Sequence, residues 1–117
     1  MRLLLFLSIP FLVIGQQTPE KKEQLFIALY TVGKNWDAEK PPNEQTHFKE
    51  HSSFLQQLRS DKSIAMGARY GDTGMVIFKA MDLESAKMLI NSDIAVQNQL
   101  FDVEVHAFAP FYKGCIE

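Results

Sequence analysis

The spacing of apolar positions changes several times along the chain, and each change predicts a new element of secondary structure. Where apolar side chains recur at alternate positions a strand is expected, and where they recur every three or four positions an amphipathic helix is expected. By this criterion, strands are predicted at residues 24–32, 63–70, 75–80 and 101–109, and helices at residues 44–60, 83–91 and 94–100.

Residues that favour helix starts and tight turns stand at the boundaries of these segments. Asn43, Asp82 and Asp93 each precede a predicted helix, where the side-chain oxygen is expected to accept hydrogen bonds from unpaired backbone amides. The sequence Gly71-Asp72-Thr73-Gly74 predicts a hairpin turn. The order strand, helix, strand, strand, helix, strand predicts an α+β domain of the ferredoxin-like βαββαβ type, with the helices on one face of a four-stranded antiparallel sheet.

The first predicted strand is apolar on both of its faces. Its apolar side chains alternate between the two sides, with Leu25, Ile27 and Leu29 on one and Phe26, Ala28, Tyr30 and Val32 on the other. The helices are expected to cover only one sheet face, so the other would expose an apolar patch larger than monomeric proteins usually tolerate. We therefore expect a homodimer formed through the open sheet face.

The N-terminal segment has the composition of an export signal. Residues 1–15 contain a basic start at Arg2 and an apolar run that is shorter than the roughly 20 residues needed to span a bilayer. Val13 and Gly15 fit the small-residue pattern before a signal-peptidase cut. We expect a signal peptide at residues 1–15, a solvated linker at residues 16–23, and a periplasmic or secreted domain at residues 24–117 with no stable membrane anchor after cleavage. The alternative is an uncleaved N-terminal anchor.

Composition narrows the class of protein further. The 117 residues are 46% hydrophobic, which suits one packed domain, and the formal net charge of −2 does not favour nucleic-acid binding. Cys115 is the only cysteine, which excludes an intramolecular disulfide and a cysteine-based zinc site. The sequence has neither a glycine-rich phosphate loop nor a Gly-x-Ser-x-Gly motif, so kinases, dinucleotide-dependent enzymes and serine hydrolases are disfavoured, and no cofactor is expected.

One histidine interrupts the apolar stripe of the first predicted helix. His51 lies three positions after Phe48 and four before Leu55, so it is expected to point into the domain. An imidazole titrates near neutral pH and suits proton transfer when a carboxylate orients it. Two interpretations are open at this point: an acid-base residue at a ligand pocket, or a core histidine that is hydrogen-bonded to the backbone.

Several short motifs recur, in the same order, in a known family. They are Gly33 to Asp37, Pro41-Pro42-Asn43-Glu44-Gln45, His51 with Leu55 and Leu58, the Gly67 strand, Gly74, the Ala86 helix, Asp93-Ile94-Ala95-Val96, and Phe108 to Gly114. Over about residues 25–114 their order and spacing resemble those of the YciI-like, or YCII-related, proteins. The resemblance implies a ferredoxin-like fold of the dimeric α+β barrel kind and a site built around a helix histidine and an aspartate, roles that fall on His51 and Asp93.

The chain departs from the family pattern in two places. Family members commonly carry Gly-Pro where this chain has Gly67-Ala68-Arg69, and Asp-Pro where it has Asp93-Ile94. Losing proline at a first helical position removes preorganisation rather than chemistry. Arg69 is the larger change, because it adds a fixed cation near the expected pocket mouth, where it would favour an anionic ligand and hold a substrate carboxylate.

The candidate substrate-binding residues are Arg69, Trp36, Tyr30 and His106. Trp36 lies in the long loop after the first strand, and Tyr30 lies near the end of that strand, facing either the pocket or the dimer partner. For His106, on the polar side of the last strand, a solvated surface position is the alternative, as it is for His47. The three histidines have no metal-ligand spacing, so no metal site is expected.

These observations predict an exported YciI-like protein that binds a small organic molecule. If it is an enzyme, the expected chemistry is cofactor-independent acid-base catalysis by His51 and Asp93, as in an isomerase, a lyase or a dehalogenase that acts beside a carbonyl. The alternative is a non-catalytic dimeric module, ligand-binding or stress-associated, in which the two side chains form a buried structural pair.

Overall fold

Four strands form one antiparallel sheet in the computed structural model, which describes residues 22–114. The strands are β1 (Gln24–Val32), β2 (Ile64–Tyr70), β3 (Thr73–Ala80) and β4 (Phe101–Ala107), and they lie in the order β2-β3-β1-β4. Each neighbouring pair is antiparallel. The predicted α+β class with a four-stranded antiparallel sheet is confirmed.

Three helices pack against this sheet: α1 (Phe48–Ser60), α2 (Leu83–Asn91) and α3 (Ile94–Gln97). The buried core combines one face of the sheet with α2, through Phe26, Ala28, Tyr30, Val76, Phe78, Ala86, Ile90 and Val105. Phe54 and Leu55 of α1 pack against the same cluster. Both longer helices therefore bury their apolar stripe on one sheet face, as their periodicity predicts.

The first helix begins later than predicted. We expected it to start at Glu44 with Asn43 as its cap, but Pro42–Glu44 form a short 3-10 turn and α1 begins at Phe48. His47, just before it, has a φ of 70°, which places it in the left-handed region and breaks the helical path. The Asn43 cap was therefore wrong.

A buried glutamine explains this break. The side chain of Gln45 accepts a hydrogen bond from the backbone N–H of Asp37 at 2.9 Å and donates to the carbonyl oxygens of Asp37 at 2.6 Å and Lys40 at 2.9 Å. These bonds satisfy a polar group that is only 6% exposed. They tie the segment before α1 to the preceding loop, which prevents it from continuing the helix.

Other boundaries differ from the predicted ones by a few residues. The hairpin needs only Gly71, with a φ of 55°, and Asp72, so β3 begins at Thr73 rather than Met75. Helix α3 ends at Gln97 instead of residue 100. Strand β4 ends at Ala107 instead of residue 109, and beyond it only the N–H of Phe108 still bonds to β1, at the carbonyl of Leu25.

Helix α2 and strand β2 each differ slightly from the prediction. Leu83, which we expected in the buried stripe of α2, is 41% exposed at the first position of that helix. Strand β2 begins at Ile64 rather than residue 63 and carries an irregularity between Ile64 and Met66. The predicted cap of α2 is confirmed, because the side chain of Asp82 accepts from the N–H of Ser85.

Two loops meet at the end of the sheet where β1 finishes and β4 starts. The backbone N–H of Gly33 donates to the carbonyl of Leu100 at 2.8 Å, and that of Asn35 donates to the carbonyl of Gln99 at 3.0 Å. A Cβ at position 33 would lie 2.2 Å from the Gln99 carbonyl oxygen, so only glycine permits this approach. The contact fixes the loop after β1 against the segment that follows α3.

The strand register assigns each side chain to one of two sheet faces. Phe26, Ala28 and Tyr30 lie on the face that carries the helices, whereas Leu25, Ile27 and Leu29 lie on the other face and are half-buried. Leu29 pairs with Met75 and Ile27 pairs with Ile77, which continues the second apolar surface onto β3. We call this second surface the open face.

Several predictions from the sequence lie outside the described residues. They are the signal peptide at residues 1–15, the linker up to residue 21, and Cys115. Within residues 22–114, no helix is both long and apolar enough to cross a bilayer.

Candidate functional site

A buried histidine and a buried aspartate meet between α1 and the start of α3. The Nδ1 atom of His51 lies 2.5 Å from the Oδ2 atom of Asp93, although the two residues are 42 positions apart in sequence. His51 is 8% exposed and Asp93 is 1% exposed. Groups of this kind are rarely buried without partners, so the pair is a specific feature of the fold.

The position of Asp93 follows from its role as a helix cap. It precedes α3 in an extended conformation, and its Oδ1 atom accepts a hydrogen bond from the backbone N–H of Ala95 at 2.9 Å. This is the bond expected of an N-cap aspartate. The second carboxylate oxygen is left to bind His51, which α1 presents from the opposite side.

The hydrogen bond to Asp93 defines the state of the imidazole ring. A carboxylate only accepts hydrogen bonds, so Nδ1 of His51 carries the proton that joins the pair. In the neutral ring, Nε2 then has a free lone pair and is the atom that accepts a proton. Among residues 22–114, no side chain forms a hydrogen bond with Nε2.

Aromatic rings surround the imidazole. The ring centroid of His51 lies 4.6 Å from that of Phe101, 5.4 Å from that of Tyr30 and 6.2 Å from that of Phe48. Trp36 packs on Phe101 with centroids 5.6 Å apart. These rings exclude water from the pair and favour planar or apolar groups beside it.

A pocket of about 410 Å³ opens beside His51 on the helix-bearing face of the sheet. Three of the predicted substrate-binding residues line it: Tyr30, Trp36 and Arg69. Asp93 does not line the pocket and lies behind the imidazole. The geometry therefore assigns His51 to the pocket wall and Asp93 to the support of that wall.

The other two histidines lie elsewhere. His106 is exposed, does not line this pocket, and has its Nε2 atom 3.3 Å from Glu104 Oε2, with both residues on the open face. His47 is half-buried before α1, with Nδ1 4.0 Å from Glu50 Oε1. Neither of these two imidazole rings forms a hydrogen bond with the His51 side chain. Within residues 22–114 no group of three or more His, Cys, Asp and Glu side chains is arranged to hold a metal ion.

Two glycines in the strands make room for the pocket. Gly74 on β3 pairs with Tyr30 on one side and with Arg69 on the other, so the three residues form a row across the helix-bearing face. Gly67, further along β2, also lines the pocket, and a Cβ there would contact only the Met75 carbonyl oxygen, at 3.9 Å. Because neither position carries a side chain, a hollow remains between Arg69 and the aromatic rings.

The sequence reasoning missed Phe101 and Phe48 as walls of the site. A signal for both was present: Phe101 falls on the inward-facing phase of β4, and Phe48 lies one helical turn before His51. What periodicity does not show is that the start of β4 and the start of α1 meet at the same end of the sheet. That proximity depends on the contact between the loops at Gly33 and Leu100.

Tyr30 contributes a buried hydroxyl to the site. Its oxygen has no hydrogen-bond partner among the described residues, although the residue is only 6% exposed. Burial, together with the nearby charge of Asp93, raises the pKa of Tyr30 well above its usual value. The hydroxyl is therefore neutral at physiological pH.

Comparison with known proteins returned no relative: no family model matches the chain, and no curated protein and no solved structure matches it.

We expect Asp93 to contribute more to stability than an ordinary helix cap. Asp93→Ala should lower the free energy of unfolding by about 3–5 kcal/mol, since it leaves a buried histidine without its partner as well as removing the cap. Asp82→Ala, the control at the exposed cap of α2, should cost only about 1 kcal/mol. Urea unfolding of both variants, with a double-mutant cycle to His51→Ala, gives the values. Additive effects of the two substitutions would contradict an energetic link between the side chains.

We expect Tyr30→Phe to leave the protein as stable as before at pH 7, or to stabilise it by about 1 kcal/mol, because the hydroxyl is buried without a hydrogen bond. The pKa of Tyr30 is higher in the folded state than in the unfolded state. Below about pH 10 the hydroxyl is neutral in both states, and as the pH rises above that value it ionises first in the unfolded state, which lowers the free energy of unfolding. Thermal unfolding at pH 7 and pH 11 should show a smaller alkaline loss in the variant. An equal loss in both proteins would contradict this.

Proposed function

We propose that this chain is a YciI-like protein whose pocket binds a small organic molecule and transfers a proton to and from it without a cofactor. The observation that carries the proposal is the buried bond between His51 Nδ1 and Asp93 Oδ2, with the histidine on the wall of a pocket of about 410 Å³. A general base needs an atom that can accept a proton within reach of a bound ligand. An oriented imidazole with one free nitrogen, beside a pocket large enough for a ligand, meets that requirement.

The proposed reaction begins at a carbon next to a carbonyl group. The proton leaves that carbon for Nε2 of His51, and the electron pair of the C–H bond moves into the carbonyl to give an enolate. Return of the proton to another carbon of a conjugated substrate gives an isomerase. If the enolate instead forms a carbon–carbon double bond while a leaving group departs from the β-carbon with its electron pair, the result is a lyase or a dehalogenase, and the imidazolium passes its proton to the leaving group or to solvent. Asp93 stabilises the imidazolium that forms, because its carboxylate is already bound to Nδ1.

The surroundings of the pair support this role. The rings of Tyr30, Phe48 and Phe101 reduce the access of water to the imidazole, which strengthens its interaction with the carboxylate. Asp93 is kept in place by its second bond, to the N–H of Ala95. The ring is therefore held in one orientation before any ligand arrives, which lowers the cost of reaching the reactive geometry.

The second candidate function is a non-catalytic ligand-binding or stress-associated module. One observation favours it: Asp93 caps α3, so its presence has a structural reason that is independent of catalysis. In that case the bond to His51 joins α1 to α3, and the pocket binds its ligand without changing it.

The family proposal rests on topology as well as on motifs. An antiparallel sheet in the order β2-β3-β1-β4, with the longer helices on one face, is the arrangement expected of a ferredoxin-like domain. We also propose a homodimer through the open face. Apolar side chains on the two central strands, among them Leu29 and Met75, support it, because a partner would remove them from water.

We expect the protein to catalyse hydrogen exchange at a carbon next to a carbonyl. With 4-phenyl-2-oxobutanoate and its neutral analogue 4-phenylbutan-2-one in D₂O, NMR should show loss of the proton signal faster than in buffer with at least one of the two. His51→Asn should lower this rate by about 10²–10⁴-fold, the usual contribution of a general base. No cofactor needs to be added.

His47→Asn is the matched control, since it removes the same ring from a position that does not line the pocket and whose left-handed backbone asparagine tolerates. It should leave the rate unchanged, and circular dichroism should show that both variants are folded. If His51→Asn keeps the wild-type rate, His51 is not the base. If both compounds bind but neither exchanges, the non-catalytic module is the better account.

We expect the wild-type domain to have twice the mass of one chain in light scattering. Leu29→Lys should produce monomers, because it puts a charge in the middle of the open face. Met88→Lys makes the same chemical change on the exposed side of α2, where Met88 is 69% exposed, and should leave the dimer intact. A wild-type protein that is monomeric at micromolar concentration would refute the proposed assembly.

A further inference from the structure

The pocket has a cation at one end and aromatic rings at the other. Arg69 lines it from the edge strand β2, on the same sheet face as Tyr30. Within residues 22–114, no side chain forms a hydrogen bond or an ion pair with the Arg69 guanidinium at the distances usual for such bonds. An unpaired guanidinium beside a hollow is a ready partner for a carboxylate, which it can bind through two parallel hydrogen bonds.

The spacing of the strands sets the size of the ligand. Arg69, Gly74 and Tyr30 lie in a row on three adjacent strands, so the backbones of the first and the last are separated by two strand spacings, or about 10 Å. Gly74 has no side chain to fill the space between them. The row therefore leaves room for one planar ring whose carboxylate reaches the arginine.

The walls of this space favour a flat ligand. Phe48, Phe101 and Trp36 all line the pocket near His51, and aromatic faces and edges attract other rings more than they attract bulky aliphatic groups of similar area. A charged head bound at Arg69 would direct the ring toward the imidazole. The far end of the ligand would then meet Nε2 of His51.

We infer that the preferred ligands of this pocket are aromatic or otherwise planar monocarboxylates, with the carboxylate on Arg69 and the ring over Gly74. This inference deepens the proposed function, on which it rests for the position of the reacting end at His51. It assigns Arg69 to substrate specificity rather than to the chemical step.

One acidic residue also lines the pocket. Asp72 lies in the exposed hairpin turn between β2 and β3, at the rim. Water screens both charges, because Arg69 is exposed as well. Arg69 differs from Asp72 in its place on the strand, where it forms the row with Gly74 and Tyr30. If Asp72 instead formed part of the recognition site, a zwitterion with an ammonium group would be the better ligand. The binding experiment therefore includes phenylalanine, which is such a zwitterion.

Trp36 is the only tryptophan in the chain and lines the pocket, so its fluorescence reports binding. In the wild-type protein, titration with benzoate should change the emission. Benzamide, which has the same shape without the charge, and cyclohexanecarboxylate, which has the charge without the planar ring, should each bind at least about tenfold more weakly. Tighter binding of phenylalanine than of benzoate would overturn the inference in favour of a zwitterion.

Variants separate the arginine from the rest of the site. Arg69→Gln should weaken benzoate binding by about tenfold or more and remove the preference over benzamide, and Arg69→Lys should restore part of it. Lys87→Gln, the control, removes a cation from the exposed side of α2 and should bind benzoate as the wild type does. Equal losses in Arg69→Gln and Lys87→Gln would refute a specific role for Arg69.

Failure of this inference and failure of the proposed function would give different results. His51→Asn should keep the preference for benzoate over benzamide, because Arg69 binds the carboxylate at the other end of the pocket. Selective, Arg69-dependent binding without exchange of any carbonyl compound would support the ligand class and refute catalysis. Exchange of the neutral ketone without any preference for carboxylates would support catalysis and refute the ligand class.

Discussion

The carboxylate of Asp93 is the group on which the rest of the site depends. A carboxylate that is 1% exposed is costly unless its oxygens are bound, and here each oxygen has a different partner. Oδ1 accepts from the N–H of Ala95 and starts α3, while Oδ2 binds Nδ1 of His51 on α1. One side chain therefore sets the start of a helix and the orientation of an imidazole on another. The helix start and the orientation of the ring cannot be changed independently.

The two sheet faces show how small residues decide where a site forms. Large side chains such as Phe26 and Phe78 fill the helix-bearing face at one end of the sheet, where they form the core. At the other end, Gly67 and Gly74 leave the same face empty. Helix α1 covers this end with His51 rather than with an aliphatic residue. The pocket thus forms where two strand positions carry no side chain and the helix supplies a polar one.

Much of this fold was predictable from local patterns, and the site only in part. Alternation found all four strands, and the caps at Asp82 and Asp93 were correct, because both signals act within a few residues. The start of α1 was wrong because Gln45 is bound by loop residues earlier in the chain, which no helical periodicity contains. The inward position of His51 followed from the apolar stripe of the first predicted helix. Its distance from Asp93 did not, since a contact over 42 residues depends on how α1 and α3 pack.

The burial of Asp93 argues that its bond to His51 is more than a by-product of helix capping. Asp82 caps α2 from an exposed position, where the cap is obtained without taking a charge out of water. A similar cap at α3 would have served equally well on the surface, so capping alone does not explain a carboxylate at 1% exposure. The second carboxylate oxygen, which binds Nδ1 of His51, gives a reason for the burial of Asp93. A carboxylate shielded from solvent polarises an adjacent imidazole more strongly than an exposed one does, which would serve the proposed proton transfer. The free Nε2 of His51 is the atom at which the proton would be accepted.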